Sequence, residues 1–196
     1  MFYALRNLFA LIGVAAVILA IILSVKMAPL MQAFESFDER AIDVYTDMMT
    51  KIVETGNAAE ATVWKVPVDE DMSVEDVEET MRFVANEHNI KNVGELPLSG
   101  QIEAMTGKKS RFLKIYMFCN ALTAAQMLEY NDAYSAYLPC RISLVEDKQG
   151  KMWLYTLNMD AMIYGGLPLP PALKTEAENV KTIILDIMNR GAEGDF

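Results

Sequence analysis

The stretch Arg111-Phe-Leu-Lys-Ile-Tyr-Met-Phe-Cys119 is a run of apolar and aromatic residues with partial alternation. This pattern is typical of a half-buried β-strand. Asn120 follows directly and is a good N-cap for a short helix over residues 121–129. The stretch therefore predicts a strand that turns into a helix at Asn120.

A β-hairpin is predicted next, and it is the most clearly marked element of the chain. Pro139 cannot donate to a strand ladder, so it belongs at the start of the strand that continues from Cys140 to Glu146. Asp147-Lys-Gln-Gly150 supplies the turn, because Gly150 can adopt a positive φ. Residues 151–157 then return antiparallel to the first strand.

Two longer helices flank these strands in the sequence. Ser73-Val-Glu-Asp76 is a capping-box-like start for a helix with an apolar face, and Pro171 begins the last helix, whose predicted end is Gly191. The apolar faces consist of Val74, Val77, Met81 and Val84 in the first helix and Leu173, Ala177, Val180, Ile184 and Ile187 in the last. We therefore predict an α+β fold, an antiparallel sheet packed against helices.

The amino-terminal segment predicts a membrane anchor. Residues Leu8 to Val25 are an uninterrupted apolar run bounded by Arg6 and Lys26. At about 1.5 Å per residue, this run and its flanks cross a hydrocarbon core of about 30 Å. A cleaved signal peptide is the competing interpretation, but its apolar region is usually shorter, about 7 to 15 residues. We predict one transmembrane helix, retained in the mature protein.

The charged residues limit the kinds of partner that the chain can bind and suggest its orientation in the membrane. The formal net charge is −10, so the chain lacks the basic surface that nucleic-acid binding needs. With Arg6 on the cytoplasmic side, we expect a single-pass protein of the bacterial inner membrane with its carboxy-terminal domain in the periplasm. We divide the chain into the anchor (1–28), a membrane-proximal amphipathic helix (29–56) and one α+β domain (57–196).

An apolar stripe runs along the predicted membrane-proximal helix, which is otherwise acidic. Its members are spaced close to three and four residues apart: Phe34, Phe37, Ala41, Val44, Met48 and Ile52. The stripe either packs on its own domain or forms a partner-binding surface, and the sequence leaves both open.

These motifs together resemble a known bacterial family. Tyr116-Met-Phe-Cys-Asn120, the segment Tyr137–Asp147 with its Leu-Pro-Cys step, the strand after Gly150 and Asn158-Met-Asp-Ala-Met162 look like the domain of unknown function family 302, DUF302. The resemblance covers roughly residues 62–191 and lacks the anchor and the acidic helix. It implies a TATA-binding-protein-like α+β architecture, often paired as a homodimer, and it supplies no catalytic set.

Cys119 and Cys140 are the candidate site residues within the domain. In an oxidising periplasm they could form a disulfide that closes a loop of about 20 residues. Each position also suits a buried thiol that packs as a small hydrophobe. Both alternatives stay open, and the resemblance favours buried thiols.

The sequence predicts no catalytic residues, no metal site and no cofactor. His88 is the single histidine and has no cysteine or carboxylate at ligand spacing. The 14 methionines could suggest Cu(I) binding, but no Met-x-x-Met pair lies next to a histidine or cysteine in the sequence, which favours core filling. No Cys-x-x-Cys-His motif marks a covalent haem.

Two functions from different classes follow from these features. The favoured one is an accessory or assembly subunit that docks on a larger inner-membrane complex, respiratory or sulfur-oxidising, through the anchor and the apolar stripe. The alternative is a module that binds a small ligand, metal or haem near Cys119, Cys140 or His88. A hydrolase or redox enzyme would require a cleft with converging polar groups.

Overall fold

The computed structural model describes residues 2–196, so Met1 of the predicted anchor lies outside the described residues. Eight α-helices and a short 3-10 helix are present in this part of the chain. The α-helices are α1 (Phe2–Glu35), α2 (Ala41–Thr55), α3 (Ala58–Ala61), α4 (Val74–Glu87), α5 (Leu98–Thr106), α6 (Ala121–Tyr130), α7 (Asp160–Tyr164) and α8 (Pro171–Glu193), and the 3-10 helix is Asp132–Tyr137.

Five strands form one fully antiparallel sheet. They are β1 (Val63–Pro67), β2 (Lys91–Leu96), β3 (Leu113–Cys119), β4 (Cys140–Glu146) and β5 (Met152–Leu157). Their spatial order is β1-β5-β4-β3-β2, so β4 is the central strand. The predicted α+β architecture with an antiparallel sheet is confirmed.

The hairpin between β4 and β5 has the predicted turn. Gly150 has a φ of 85°, which a residue with a Cβ rarely adopts. The Asp147 carboxylate accepts hydrogen bonds from the backbone N–H groups of Gln149 and Lys151, at 2.8 and 2.9 Å, and from Trp153 Nε1 at 3.0 Å. These bonds fix the register of β4 and β5.

Helices α4 and α8 cover one face of the sheet and enclose the core. The side chains of Tyr116, Phe118, Ile142, Leu144 and Leu154 alternate along the strands and are almost completely buried. They pack on the apolar faces of the two helices, where Met81, Ile184 and Ile187 are inaccessible to solvent. The Ser73 capping box is formed as predicted, with Asp76 as the reciprocal partner.

Helix α1 is long and apolar enough to cross a membrane, as judged by length and composition. It is a single 34-residue helix with Pro29 inside it, so the predicted boundary at residue 28 lies within the helix. Residues 36–40 interrupt the helical structure, where a continuous helix over Phe34–Ile52 was expected. Asp38 accounts for the break, because its side chain accepts a hydrogen bond from Arg40 N and its own N–H donates to Gly166 O.

The predicted end of the last helix at Gly191 is wrong. Helix α8 continues to Glu193 and ends at Gly194, which has a φ of 73°. Gly191 instead lies where α8 crosses α4, and a Cβ at that position would be 2.6 Å from Met81 Cγ. Glycine is therefore required here by the close approach of the two helices.

Replacing Gly191 tests this close approach. We expect Gly191→Ala to lower the free energy of unfolding by about 1 kcal/mol, because the cost of overpacking against fully buried Met81 exceeds the gain of about 1 kcal/mol in helix propensity. Chemical denaturation of the full-length protein in detergent measures the change.

Gly100 is the matched control, since it lies in α5 and a Cβ there would meet nothing within 4 Å. Gly100→Ala should be neutral or stabilising. Equal stabilisation by both substitutions would show that α4 and α8 are not in close contact at Gly191.

Candidate functional site

An exposed apolar groove lies between the end of α1 and helix α2. Ile42, Tyr45, Met49 and Val53 recur at spacings of three and four residues, so they form one face of α2. All four are exposed, Val53 to 80%. Met31 and Phe34 of α1 form the opposite wall, and the open groove between the two walls has a volume of about 760 Å³. We call these six residues the α1–α2 groove.

The predicted partner-binding stripe lies mainly on a different face of α2. Ala41 and Val44 are buried, since α2 contacts α3 and α7 of its own domain. Phe37, Met48 and Ile52 are half-buried, and Phe34 is the one member that lines the groove. Partner binding by this stripe stays a prediction, whereas the apolar face that α2 leaves open begins one residue later, at Ile42.

Specific polar contacts fix the start of α2 and the residues just before it to the domain. Asp38 is 5% exposed, and its carboxylate accepts a hydrogen bond from Lys174 Nζ of α8 at 2.6 Å. The Arg40 guanidinium lies 3.9 Å from the centre of the buried Tyr164 ring. Tyr45 Oη donates a hydrogen bond to Gly165 O, and Asp38 N donates to Gly166 O at 2.8 Å. We call this set of contacts the corner.

Burial alone would raise the pKa of Asp38, because a charged carboxylate loses its hydration. The hydrogen bonds and charge of Lys174 and the bond from Arg40 N outweigh burial, and the pKa of Asp38 lies below its ordinary value. Asp38 is therefore ionised at neutral pH, and the corner contains an ion pair between this buried carboxylate and the partly exposed Lys174.

A second candidate site is a small internal cavity at one end of the sheet. Cys119 ends β3 and Cys140 begins β4, where Cys140 is the cross-strand partner of Phe118. Helices α6 and α8, the 3-10 helix and the segment after β5 close the cavity, which has a volume of about 50 Å³. Five sulfur-containing residues line it, and we call it the sulfur-lined cavity: Cys119, Met127, Cys140, Met159 and Met162.

Both cysteines are free thiols and half-buried. Burial raises the pKa of Cys119, and burial together with the nearby Cys119 raises the pKa of Cys140 to about 11. The thiolate is the reactive form of cysteine. At neutral pH these thiols are therefore protonated and poorly suited to nucleophilic catalysis.

The single histidine lies elsewhere. His88 Nε2 is 2.7 Å from the Asp186 carboxylate of α8, and His88 does not line the sulfur-lined cavity. Within residues 2–196, no group of three or more His, Cys, Asp or Glu side chains is placed to hold a metal ion. His88 is thus a surface contact between α4 and α8.

A cluster of polar side chains lies between α4, β2 and β3. An enzyme would need such converging groups in its active site. Glu78 accepts hydrogen bonds from Lys114 Nζ at 2.7 Å and Tyr116 Oη at 2.6 Å, and Arg82 bridges Glu78 and Glu95. Burial opposes ionisation of Glu78, but the bonds from Lys114 and Tyr116 outweigh it and lower its pKa.

The pKa values of the other groups in this network are also shifted away from neutral pH. Against the effect of burial, Glu78 and Glu95 raise the pKa of Lys114, while burial and Glu78 raise that of Tyr116. Each group is moved away from neutral pH, whereas a general acid or base works best with a pKa near the operating pH. The network is therefore a structural ion cluster.

The raised thiol pKa values predict slow alkylation. At pH 7 we expect Cys140 to react with iodoacetamide about 100-fold more slowly than an unperturbed thiol, because its thiolate fraction is lower by about that factor. The rate should rise as the pH increases beyond 9. Mass spectrometry of Cys119→Ser and Cys140→Ser variants isolates each thiol, and reaction at the rate of the unfolded chain would contradict the assignment.

Removing the Asp38 charge tests the corner. We expect Asp38→Asn to raise hydrogen exchange of residues 41–48 by about tenfold or more while β3 and β4 stay protected, because breaking a buried ion pair is costly even with Lys174 partly exposed. The folded pKa of Asp38 is lowered, so the same loosening should appear in the native chain as the pH falls through that pKa.

Asp47→Asn is the matched control, since Asp47 lies on the exposed surface of the same helix. It should leave exchange of residues 41–48 unchanged. An equal effect of both substitutions would mean that the Asp38 contact does not fix α2 to the domain.

Comparisons with known proteins bear on the domain rather than on either site. The crystal structure of an uncharacterized conserved DUF302 protein from Bacillus stearothermophilus is similar to this chain, with a TM-score of 0.54 and 17% sequence identity. The match covers 66% of this chain and 97% of that chain, and at this identity it shows the fold alone. A comparison with curated proteins gives no match.

The family assignment agrees with the resemblance seen in the sequence. The family model described as domain of unknown function DUF302 matches residues 64–191, which is more than half of the chain. Helices α1 and α2 precede the matched region. The matched region holds the sulfur-lined cavity, and the α1–α2 groove lies outside it. The chain belongs to the DUF302 family.

Proposed function

We propose that this protein is a membrane-anchored interaction protein, an accessory or assembly subunit that docks on an inner-membrane complex through the α1–α2 groove. The observation that carries this proposal is the row of exposed apolar side chains at Ile42, Tyr45, Met49 and Val53 beside the end of the membrane helix. Contiguous exposed apolar surface of this kind marks interaction sites.

The position of the groove along α1 supports a partner within or next to the membrane. Lys26 ends the apolar run, and α1 continues beyond it to Glu35. At about 1.5 Å per residue, Met31 and Phe34 lie about 8 and 12 Å beyond Lys26 along the helix axis. The groove therefore lies at the level of the lipid headgroups or just outside them.

The charges around the groove favour a protein as the binding partner over the lipid surface. Asp43, Asp47 and Glu54 are exposed along the same helix. Anionic headgroups repel such a rim, whereas a helix with apolar residues flanked by lysine or arginine complements it. The partner that fits is an apolar helix with basic flanks, laid into the groove as other amphipathic helices are.

The corner gives the α2 side of the groove a fixed position. Asp38 and Tyr45 hold the start of α2 against Lys174 and Gly165, so this wall of the groove is in place before a partner arrives. A preformed surface loses less conformational entropy on binding than a mobile one. This supports docking at a defined distance between the membrane and the domain.

Other functions receive less support. The sulfur-lined cavity of about 50 Å³ is too small for haem or another large ligand, because pockets for such ligands measure about 300 Å³ or more. The ion cluster around Glu78 gives no general acid or base. The periplasmic orientation and the respiratory or sulfur-oxidising class of the complex remain predictions within this proposal.

Substitution in the groove tests the proposal. We expect Met49→Asp to lower recovery of the partner with the tagged full-length protein in mild detergent by about tenfold or more, since central interface residues contribute about 1 to 2 kcal/mol or more. Quantitative mass spectrometry measures the recovery of an integral membrane protein with an apolar helix and basic flanks.

Met105→Asp is the matched control, because Met105 is 86% exposed on α5 and far from the groove in sequence. It should leave partner recovery unchanged. The proposal is contradicted if the Met49→Asp protein retains its partners, or if only a second copy of this chain is recovered, which would make the groove a dimer interface.

A further inference from the structure

We propose that the second face of the sheet is the interface of a homodimer, in which two copies of this chain pack face to face. Helices α4 and α8 cover one face of the sheet, and the strand side chains that point away from them form the other face. This inference is independent of docking through the α1–α2 groove, because these strands lie outside the groove. We call the surface the open sheet face and define it by six side chains: Leu113, Ile115, Met117, Val145, Trp153 and Tyr155.

Strand alternation places these side chains opposite the core. Tyr116 and Phe118 of β3 and Ile142 and Leu144 of β4 are buried, and the residues between them point the other way. All six side chains of the open sheet face are half-buried. Within residues 2–196, none of them belongs to the hydrophobic core or to the side chains packed against it. The face is therefore apolar surface that the described chain does not use in its own core.

The strand register makes the open sheet face continuous. Trp153 of β5 lies beside Val145 of β4, which lies beside Leu113 of β3. Side chains that face each other across neighbouring strands are about 5 Å apart, so they form one patch without gaps. A contiguous exposed apolar patch of this kind marks an interaction site.

Three charged side chains on this face lie at its margin. Lys65 and Lys91 belong to the edge strands β1 and β2, and Arg141 is the second residue of β4. All three are exposed. An uncharged centre with aromatic and methionine side chains, surrounded by a polar rim, is typical of protein interfaces. Because the centre carries no charge, an identical face can pack on it without like-charge repulsion there.

The size of the face agrees with what a dimer requires. Five strands of five to seven residues give a flat outline of about 24 by 20 Å, at the usual strand spacing and rise. Two such faces therefore bury about 1,000 Å² or more, since protruding side chains add to the outline. Specific interfaces begin at about 1,000 Å² of total buried surface. Two twisted sheets also pack well face to face, as β-sandwiches show.

The two edges of the sheet are poorly suited to pairing with another strand. Pro67 lies in the edge strand β1 and has no backbone N–H to donate. The other edge strand, β2, has an irregular register between Asn92 and Gly94. Proline and bulges are features that disfavour extension of a sheet at its edge. Association through the face is therefore favoured over association through an edge.

The anchor favours a second copy as the occupant of the face. Every copy that crosses the membrane through α1 carries its domain beside the same bilayer. Such confinement raises the effective concentration of one domain for another, as a linker between two domains does. A two-fold dimer uses the same surface of both copies, so one open sheet face per chain is sufficient.

Sedimentation velocity of the full-length protein in detergent tests the proposal. We expect a dimer at micromolar concentration that dissociates on dilution. Ser143 lies at the centre of the open sheet face, between Ile115 and Tyr155 of the neighbouring strands. Ser143→Lys should weaken association by at least about tenfold, because the dimer would bury an unpaired charge from each copy. Thr182→Lys is the matched control, since it adds the same charge at an exposed position of α8 and should leave association unchanged.

Oxidative footprinting of the native protein gives a second readout that requires no variant. Hydroxyl radicals should oxidise Met117, Trp153 and Tyr155 more slowly at high protein concentration than at low concentration. Met105, which is 86% exposed on α5, should react equally at both. The proposal fails if the native protein stays monomeric at micromolar concentration, if Ser143→Lys leaves association unchanged, or if the three side chains are not protected.

A groove variant separates this interface from the docking surface. Met49→Asp should leave the dimer intact, because Met49 lies in the α1–α2 groove and not on the sheet. Loss of the dimer in this variant would place the interface in the groove and overturn the assignment to the open sheet face.

Discussion

The ion pair between Asp38 and Lys174 fixes the start of α2 against the folded domain. Asp38 lies at the break between α1 and α2, and Lys174 lies in the first turns of α8, the helix that also covers the sheet. Because a buried carboxylate is costly without its partner, the pair favours one position for the start of α2. The direction of α2, and with it the exposure of Ile42 and Met49, depends on this contact.

The sheet places the two candidate sites at separate locations. Its helix-covered face is filled by core side chains such as Phe118 and Leu144, and the sulfur-lined cavity lies at the end of the sheet where β3 stops and β4 begins. The sulfur-lined cavity lies within the DUF302 domain, and the α1–α2 groove lies in the helices that precede it.

Local signals in the sequence predicted most of the fold. The Asp147–Gly150 turn, the Asn120 cap and the Ser73 capping box each act over a few residues, and each is found where the pattern indicated it. Signals that depend on tertiary packing were missed. Helix α2 has apolar residues on two adjacent faces, and sequence periodicity cannot decide which one the domain covers. Gly191 had the pattern of a helix end because its contact with Met81 is invisible in sequence.

The sulfur-lined cavity was missed for a similar reason, since topology brings Cys119 and Cys140 to the methionines that follow β5; the Met159-Asp-Ala-Met162 spacing was the available signal.

The central claim, docking beside the membrane, is tested most directly by photo-crosslinking from a benzoylphenylalanine placed at position 49 in intact cells. The account predicts a crosslink to an integral membrane protein from position 49 and none from the exposed position 105. Crosslinks to lipid alone, or the same products from both positions, would contradict it.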